Sequence, residues 1–195
     1  MIKVSCLDLE VIPGSVRRII RTGSNALRRK SPHKLRKESH KKRKMNTDKL
    51  KQLARDLRKT PPHSPRDTLG GFVMAARMLD KARADLLGIL GEYNFYPCGL
   101  GAYFWKFTGL EAMKFKEFVA TGATDEEVDH WIRENTTQKD PTAIIKWNNE
   151  MRCLRLCDLS QQVQEYFETY IPQFCHPPSK VKFFFDVYDV EEGVL

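Results

Sequence analysis

The sequence predicts a mainly α fold, a compact bundle of five to six short helices with a small two-stranded antiparallel β element near the C-terminus. Three observations predict it. Apolar residues recur at helical spacing through the middle of the chain, at Leu69, Phe72, Val73, Ala76, Leu79, Leu86, Leu87 and Leu90. Helix starts are marked by cap residues, a capping box at Thr124 and Glu127 and the pair Asp140-Pro141. Residues 181–190 (VKFFFDVYDV) are rich in aromatic and β-branched side chains, which suit a strand.

Residues 48–59 read as the first helix, capped by Asn46 or Thr47, with Leu50, Leu53 and Leu57 on one face. Three prolines at residues 60–67 (TPPHSPRD) prevent a helix there. The central helix is expected over residues 69–90, with Asp67 or Thr68 as its cap and Gly91 as its end. Gly101 to Gly109 (GAYFWKFTG) is aromatic-dense. It reads as core on a short helix rather than as a stacking box, and the helix continues over 111–120 to Gly122. Thr124 to Asn135 follows, with Asp125 and Glu126 at the positive end of its dipole and Val128, Trp131 and Ile132 facing the core. His130 lies off that face and reads as exposed. A helix from Pro141 to about Cys157 carries the stripe Ile144, Trp147, Met151 and Leu154. Ser160 caps the next, which Pro172 stops. A strand at 181–190 needs a partner for its backbone, and the segment 93–96 is the candidate.

Charge divides the chain. Of 195 residues, the first 44 hold 14 basic and 3 acidic residues, a net of +11. The other 151 hold 19 basic and 22 acidic residues, a net of −3. Residues 1–44 read as a basic extension disordered on its own, and residues 45–195 as one globular domain. The extension suits nonspecific phosphate binding or targeting, or lies upstream of a working start at Met45. Nucleic acid is a partner only through that extension, since the remainder has no basic excess. No apolar run reaches the roughly 18 residues of a membrane span, and no secretory signal is visible. No membrane partner is expected. Five scattered cysteines (Cys6, Cys98, Cys153, Cys157, Cys175) indicate free thiols in a reducing, cytoplasmic setting. Cys153, Cys157, Cys175 and His176 have only weak metal-ligand spacing, and no metal site is expected.

No Walker loop, GxGxxG, HExxH or GxSxG occurs, and no cofactor is implied. The chemistry therefore rests on the central helix. Asp80 and Arg83 project into its apolar arc, where charges need partners. They read either as a mutual ion pair or as the lining of a polar pocket. Arg77 and Lys81, one turn apart near the polar edge, suit gripping a carboxylate or phosphate. Tyr93, Asp186 and Tyr188 would form the opposite wall.

The segments SPRDTLGGFVMAARMLDKARADLLG, GEYNF, FVATGATDEEVDHWI, YFETYIP and FFFDVYDVEEG carry a resemblance. In this order the chain from about Asp48 to its end resembles a bacterial family of small cytoplasmic proteins, the domain-of-unknown-function family numbered five-zero-six-nine. The most recognisable motif comprises Gly70, Gly71, Arg77, Asp80, Lys81 and Arg83, with Ala76 where the family form often has proline. The resemblance implies no activity. Two main readings follow: a binding or scaffold module holding a protein partner or a second copy, and a small-anion-binding protein or enzyme using Arg77, Asp80, Lys81 and Arg83.

Overall fold

Two consecutive glycines with positive φ, Gly70 at 62° and Gly71 at 88°, set the start of the fold. In the computed structural model, which describes residues 45–195, they turn a hairpin of β1 (Thr68–Leu69) and β2 (Phe72–Val73). Positive φ at both turn residues is the geometry that matches strand twist in a two-residue hairpin. Gly70 has no room for a side chain: a Cβ there would lie 2.6 Å from Cγ2 of Ile132. Asn148 clamps the hairpin. Its Oδ1 accepts from the Val73 N–H at 3.1 Å and its Nδ2 donates to the Gly71 carbonyl at 2.7 Å.

The hairpin displaces the start of the central helix. Met74 takes φ 67°, a left-handed conformation costly for a side-chain-bearing residue, and α2 (Ala75–Leu87) begins after it. Asp67 and Thr68 are therefore not its cap, and Gly88, not Gly91, ends it. Leu69, Phe72 and Val73 belong to the hairpin rather than to the helix. The helix is buried all round: Arg77, Met78, Leu79, Asp80, Lys81, Ala82, Arg83 and Ala84 are all covered. The polar edge expected at Arg77 and Lys81 does not exist, because neighbouring elements close over it.

Eight α-helices occur among the described residues, more than the five to six expected. α1 (Thr47–Leu53) is capped by Asn46, which accepts from the Lys49 N–H, and stops six residues short of Lys59. α3 (Gly99–Thr108) and α4 (Ala112–Val119) divide the aromatic region at Gly109. Phe104 and Trp105 are core, packing edge-on against Phe72, Phe95 and Phe115. α5 (Asp125–Asn135) starts at the expected capping box, with both Thr124 and Glu127 bonds formed, and His130 is exposed on it. α6 (Pro141–Arg152) begins at Asp140 as expected and ends before Cys157. α7 (Gln161–Phe174) runs through the exposed Pro172, so the expected stop there does not occur.

The largest correction lies at the C-terminus. Residues expected as a strand form α8 (Phe184–Glu191). The Asp186 carboxylate accepts the N–H groups of Lys182 and Phe183 at 2.9 and 2.8 Å and fixes the helix start. Asp186, Asp189 and Glu192 are three apart, so a helix places them on one side. Arg66 bonds Asp186 and Asp189, and Arg77 bonds Glu192. Burial among cations thus overrides β propensity. No antiparallel pairing with residues 93–96 forms. The approach to α8 instead meets the end of α6, through an isolated bridge between Arg155 and Phe183 and a 2.7 Å bond from the Phe184 N–H to the Leu154 carbonyl. The two-stranded element lies at 68–73, not near the C-terminus.

No helix among the described residues is long and apolar enough to cross a membrane. Residues 1–44, and with them the expectations for the basic extension and Cys6, lie outside the described residues.

Candidate functional site

α2 carries four charged side chains into the interior, and its neighbours distribute them to different sites. Arg77 and Lys81 reach one cavity. It measures about 50 Å³ and is lined by α2, the connection through Tyr93 to Cys98, the start of α3, and the α7 and α8 residues Tyr170, Tyr188, Glu191 and Glu192. A water occupies roughly 10–15 Å³ on this measure, so the cavity admits a ligand of a few heavy atoms.

Arg77, only 1% exposed, is fully engaged on its two terminal nitrogens. They donate to both Glu192 oxygens at 2.8 and 2.5 Å and to the His63 carbonyl at 3.1 Å. Its guanidinium lies 5.6 Å from the Tyr93 ring centre and 5.2 Å from that of Tyr188. Burial works against its charge, but the Glu192 bonds prevail and hold its pKa above the ordinary arginine value.

Lys81 differs. It is 4% exposed, and its one hydrogen-bond partner among the described residues is the Cys98 thiol, with Nζ 3.6 Å from Sγ. Burial lowers its pKa from 10.5. Glu192, committed to Arg77, acts on it only at longer range. Cys98 is the N-cap of α3 and is partly accessible. Burial disfavours its thiolate, yet the Lys81 charge, the Gly101 N–H and Arg77 outweigh that and bring the thiol below its ordinary value. Cys175 shows the opposite case: burial pushes its thiol up to about 11. Burial likewise raises the phenols of Tyr93, Tyr170 and Tyr188, which therefore remain neutral hydroxyls around the cavity.

Asp80 and Arg83 are deeply buried, at 3% and 2% exposure, but they do not meet each other. Asp80 accepts from the His63 N–H at 2.8 Å and from its Nδ1 at 2.7 Å. Arg55 donates to His63 Nε2 at 2.9 Å, so Nε2 accepts and the ring proton sits on Nδ1. Arg83 donates to Asp125 at 2.6 Å and to the Ala123 carbonyl at 2.8 Å, tying α2 to the start of α5. Asp80 and Asp125 line a separate hollow of about 440 Å³.

Of the residues singled out in the sequence, the fold brings Arg77, Lys81, Tyr93 and Tyr188 to one cavity. Asp80 and Arg83 lie elsewhere on α2, and Asp186 is bound to Arg66. Cys98, Tyr170 and Glu192 were not singled out. The three-residue spacing of Asp186, Asp189 and Glu192 was the available signal for Glu192. Cys153, Cys157, Cys175 and His176 do not gather into a group able to hold a metal among the described residues.

The fold and site define a small helical protein built around a buried, charged central helix, with a tight cavity beside Arg77 and Lys81. The family model "Domain of unknown function (DUF5069)" matches residues 59–194, and the chain belongs to that family. No curated protein matches the chain.

Proposed function

We propose that this protein binds a small anion, of carboxylate or phosphate type, in the cavity beside α2, and that Lys81 is the cation that meets it. The supporting observation is the unequal partnering of two buried cations. Arg77 already has a carboxylate, Glu192, on both terminal nitrogens. Among the described residues Lys81 has the Cys98 thiol at 3.6 Å and the Tyr93 ring at 5.5 Å, and no carboxylate bonded to it. A buried ammonium without an anionic partner is costly, and an entering anion supplies one. Gly99 and Leu100 line the same cavity at the start of α3, where N–H groups lack intrahelical acceptors and favour negative charge. Tyr93, Tyr170 and Tyr188 add neutral hydroxyls. The cavity volume selects small ions over nucleotides. Arg77 positions the wall rather than gripping the ligand, and Asp80 and Arg83 hold the fold.

The test is thermal denaturation of the full chain in acetate, malonate or inorganic phosphate, against chloride at equal ionic strength. The reading requires a saturable rise in melting temperature with at least one of these anions, absent in Lys81→Met. No saturable rise, or one that survives in Lys81→Met, overturns it.

A further inference from the structure

We propose that Cys98 is a nucleophilic thiolate paired with Lys81, and that it accepts a small acyl group from an uncharged acyl donor entering the cavity. The inference rests on the cavity of the preceding proposal but not on its ligand.

Three placements carry it. Cys98 lines the cavity and is partly accessible, so a small electrophile can reach its sulfur. Lys81 Nζ stands 3.6 Å away with no other hydrogen-bond partner among the described residues, so the thiol is the group that the buried ammonium serves. Cys98 also caps α3, a ten-residue helix whose dipole favours a thiolate at that end. Gly99 and Leu100, in the first turn of α3, line the same cavity, where helix-start N–H groups lack intrahelical acceptors and favour negative charge.

The charges around the sulfur decide the sign. Lys81 and Arg77 face it from α2. Tyr188 on α8 and Glu192 just past its end line the same cavity, and Glu192 is bound to Arg77. Glu191, Tyr170, Tyr93 and Glu92 complete the lining. The nearest cation, Lys81, dominates, because it acts at hydrogen-bond distance in a site where solvent screens little. The thiolate and an entering anion compete for the Lys81 charge. The anion is held while the thiol is protonated. Once the thiolate has formed the ammonium is balanced, so an uncharged donor suits the site.

The step balances. The sulfur lone pair attacks the carbonyl carbon and an S–C bond forms. Negative charge moves to the carbonyl oxygen, within reach of the α3 amides. The bond to the leaving group then breaks, and that group departs with the electron pair and takes a proton from Lys81 Nζ. The products are a thioester on Cys98, a neutral Lys81 amine and the protonated leaving group. The neutral amine, 3.6 Å from the sulfur, then serves as base for the water that hydrolyses the thioester.

Two probes on the full chain test this. Iodoacetamide labelling as a function of pH, followed by peptide mass mapping, gives the titration midpoint of each thiol. Cys98 should ionise at lower pH than the exposed Cys153 and Cys157, and Lys81→Met should raise the Cys98 midpoint by about one pH unit or more. A Cys98 midpoint at or above those of Cys153 and Cys157, or one unmoved in Lys81→Met, overturns the pairing. p-Nitrophenyl acetate should then release nitrophenolate in a burst and leave an acetyl group on Cys98, with no burst in Cys98→Ser. Acetylation elsewhere only, or an unchanged burst in Cys98→Ser, overturns the acyl chemistry. A saturable anion effect on melting with an unreactive Cys98 would remove the nucleophile and leave the anion site. A reactive Cys98 without any anion effect would do the reverse.

Discussion

Arg77 and Glu192, 115 residues apart in the chain, form a two-point ion pair buried at both ends. The pair joins the central helix to the last turns of the chain and shapes one wall of the cavity. Its position makes Glu192 a fold-holding residue at the edge of a site.

Glu192→Ala should therefore be severe. Truncating one partner leaves the Arg77 charge buried and uncompensated, a loss of about 3–5 kcal/mol. A urea melt of the variant checks this, and a cost comparable to that of an exposed pair such as Arg155 with Asp158 would show that Arg77 finds a substitute partner.

Asp80→Ala should be milder. The sequence admits a mutual ion pair of Asp80 with Arg83, but Arg83 is held by Asp125 and the Ala123 carbonyl. What is lost is the acceptor for two His63 groups and a 3.9 Å ion contact with the part-exposed Arg55, roughly 1–3 kcal/mol in all. A urea melt checks this, and a loss as large as that of Glu192→Ala would contradict it.

The hairpin glycines make a paired test. Gly70→Ala meets Ile132 at 2.6 Å in addition to its positive φ, whereas Gly71→Ala has no neighbour nearer than Arg133 at 3.8 Å. Gly71→Ala should cost about 1–2 kcal/mol for backbone conformation alone. Gly70→Ala should cost about 1–3 kcal/mol more for overpacking. Equal melting temperatures for the two variants would contradict this account of the turn.

What the sequence disclosed follows from the range of the forces involved. The capping box at Thr124 is a contact between residues three apart, so its letters suffice to find it. The start at Asp140-Pro141 is equally local. The hairpin at 68–73 was obscured because two-residue strands are too short to show alternation, and Phe72 and Val73 happen to continue the helical spacing of α2. The Gly70-Gly71 pair was its only mark. α8 is hidden in the sequence because its aromatic and β-branched composition suits a strand, while the three-residue spacing of Asp186, Asp189 and Glu192 gains meaning only from Arg66 and Arg77, more than a hundred residues distant. In the cavity, the one-turn spacing of Arg77 and Lys81 could be read directly. Cys98 could not, because nothing local marks a cysteine that is set apart by a lysine 17 residues earlier and by the helix that starts beside it.

The Lys81 pKa gives a pH prediction. Its folded-state value lies below 10.5, so between the two values the unfolded chain binds the extra proton. Stability of the parent therefore rises with pH through that window, and the cost of burying the ammonium is full below the folded value. Lys81→Met removes this cost. With Cys98→Ser as the common background, so that no thiolate offsets the charge, the Lys81→Met variant should melt above its parent at neutral pH, and the difference should shrink as pH approaches 10.5. A difference that is constant with pH would show that packing, not charge, sets the effect.

The central claim is that Lys81 holds a place for a small anion. Calorimetric titration of the full chain with acetate, malonate and phosphate at constant ionic strength, in the parent and in Lys81→Met, tests it most directly. The account predicts a one-to-one saturable isotherm with at least one of the three in the parent and none in the variant. Featureless titrations with all three anions in the parent, or the same isotherm in both proteins, would contradict it.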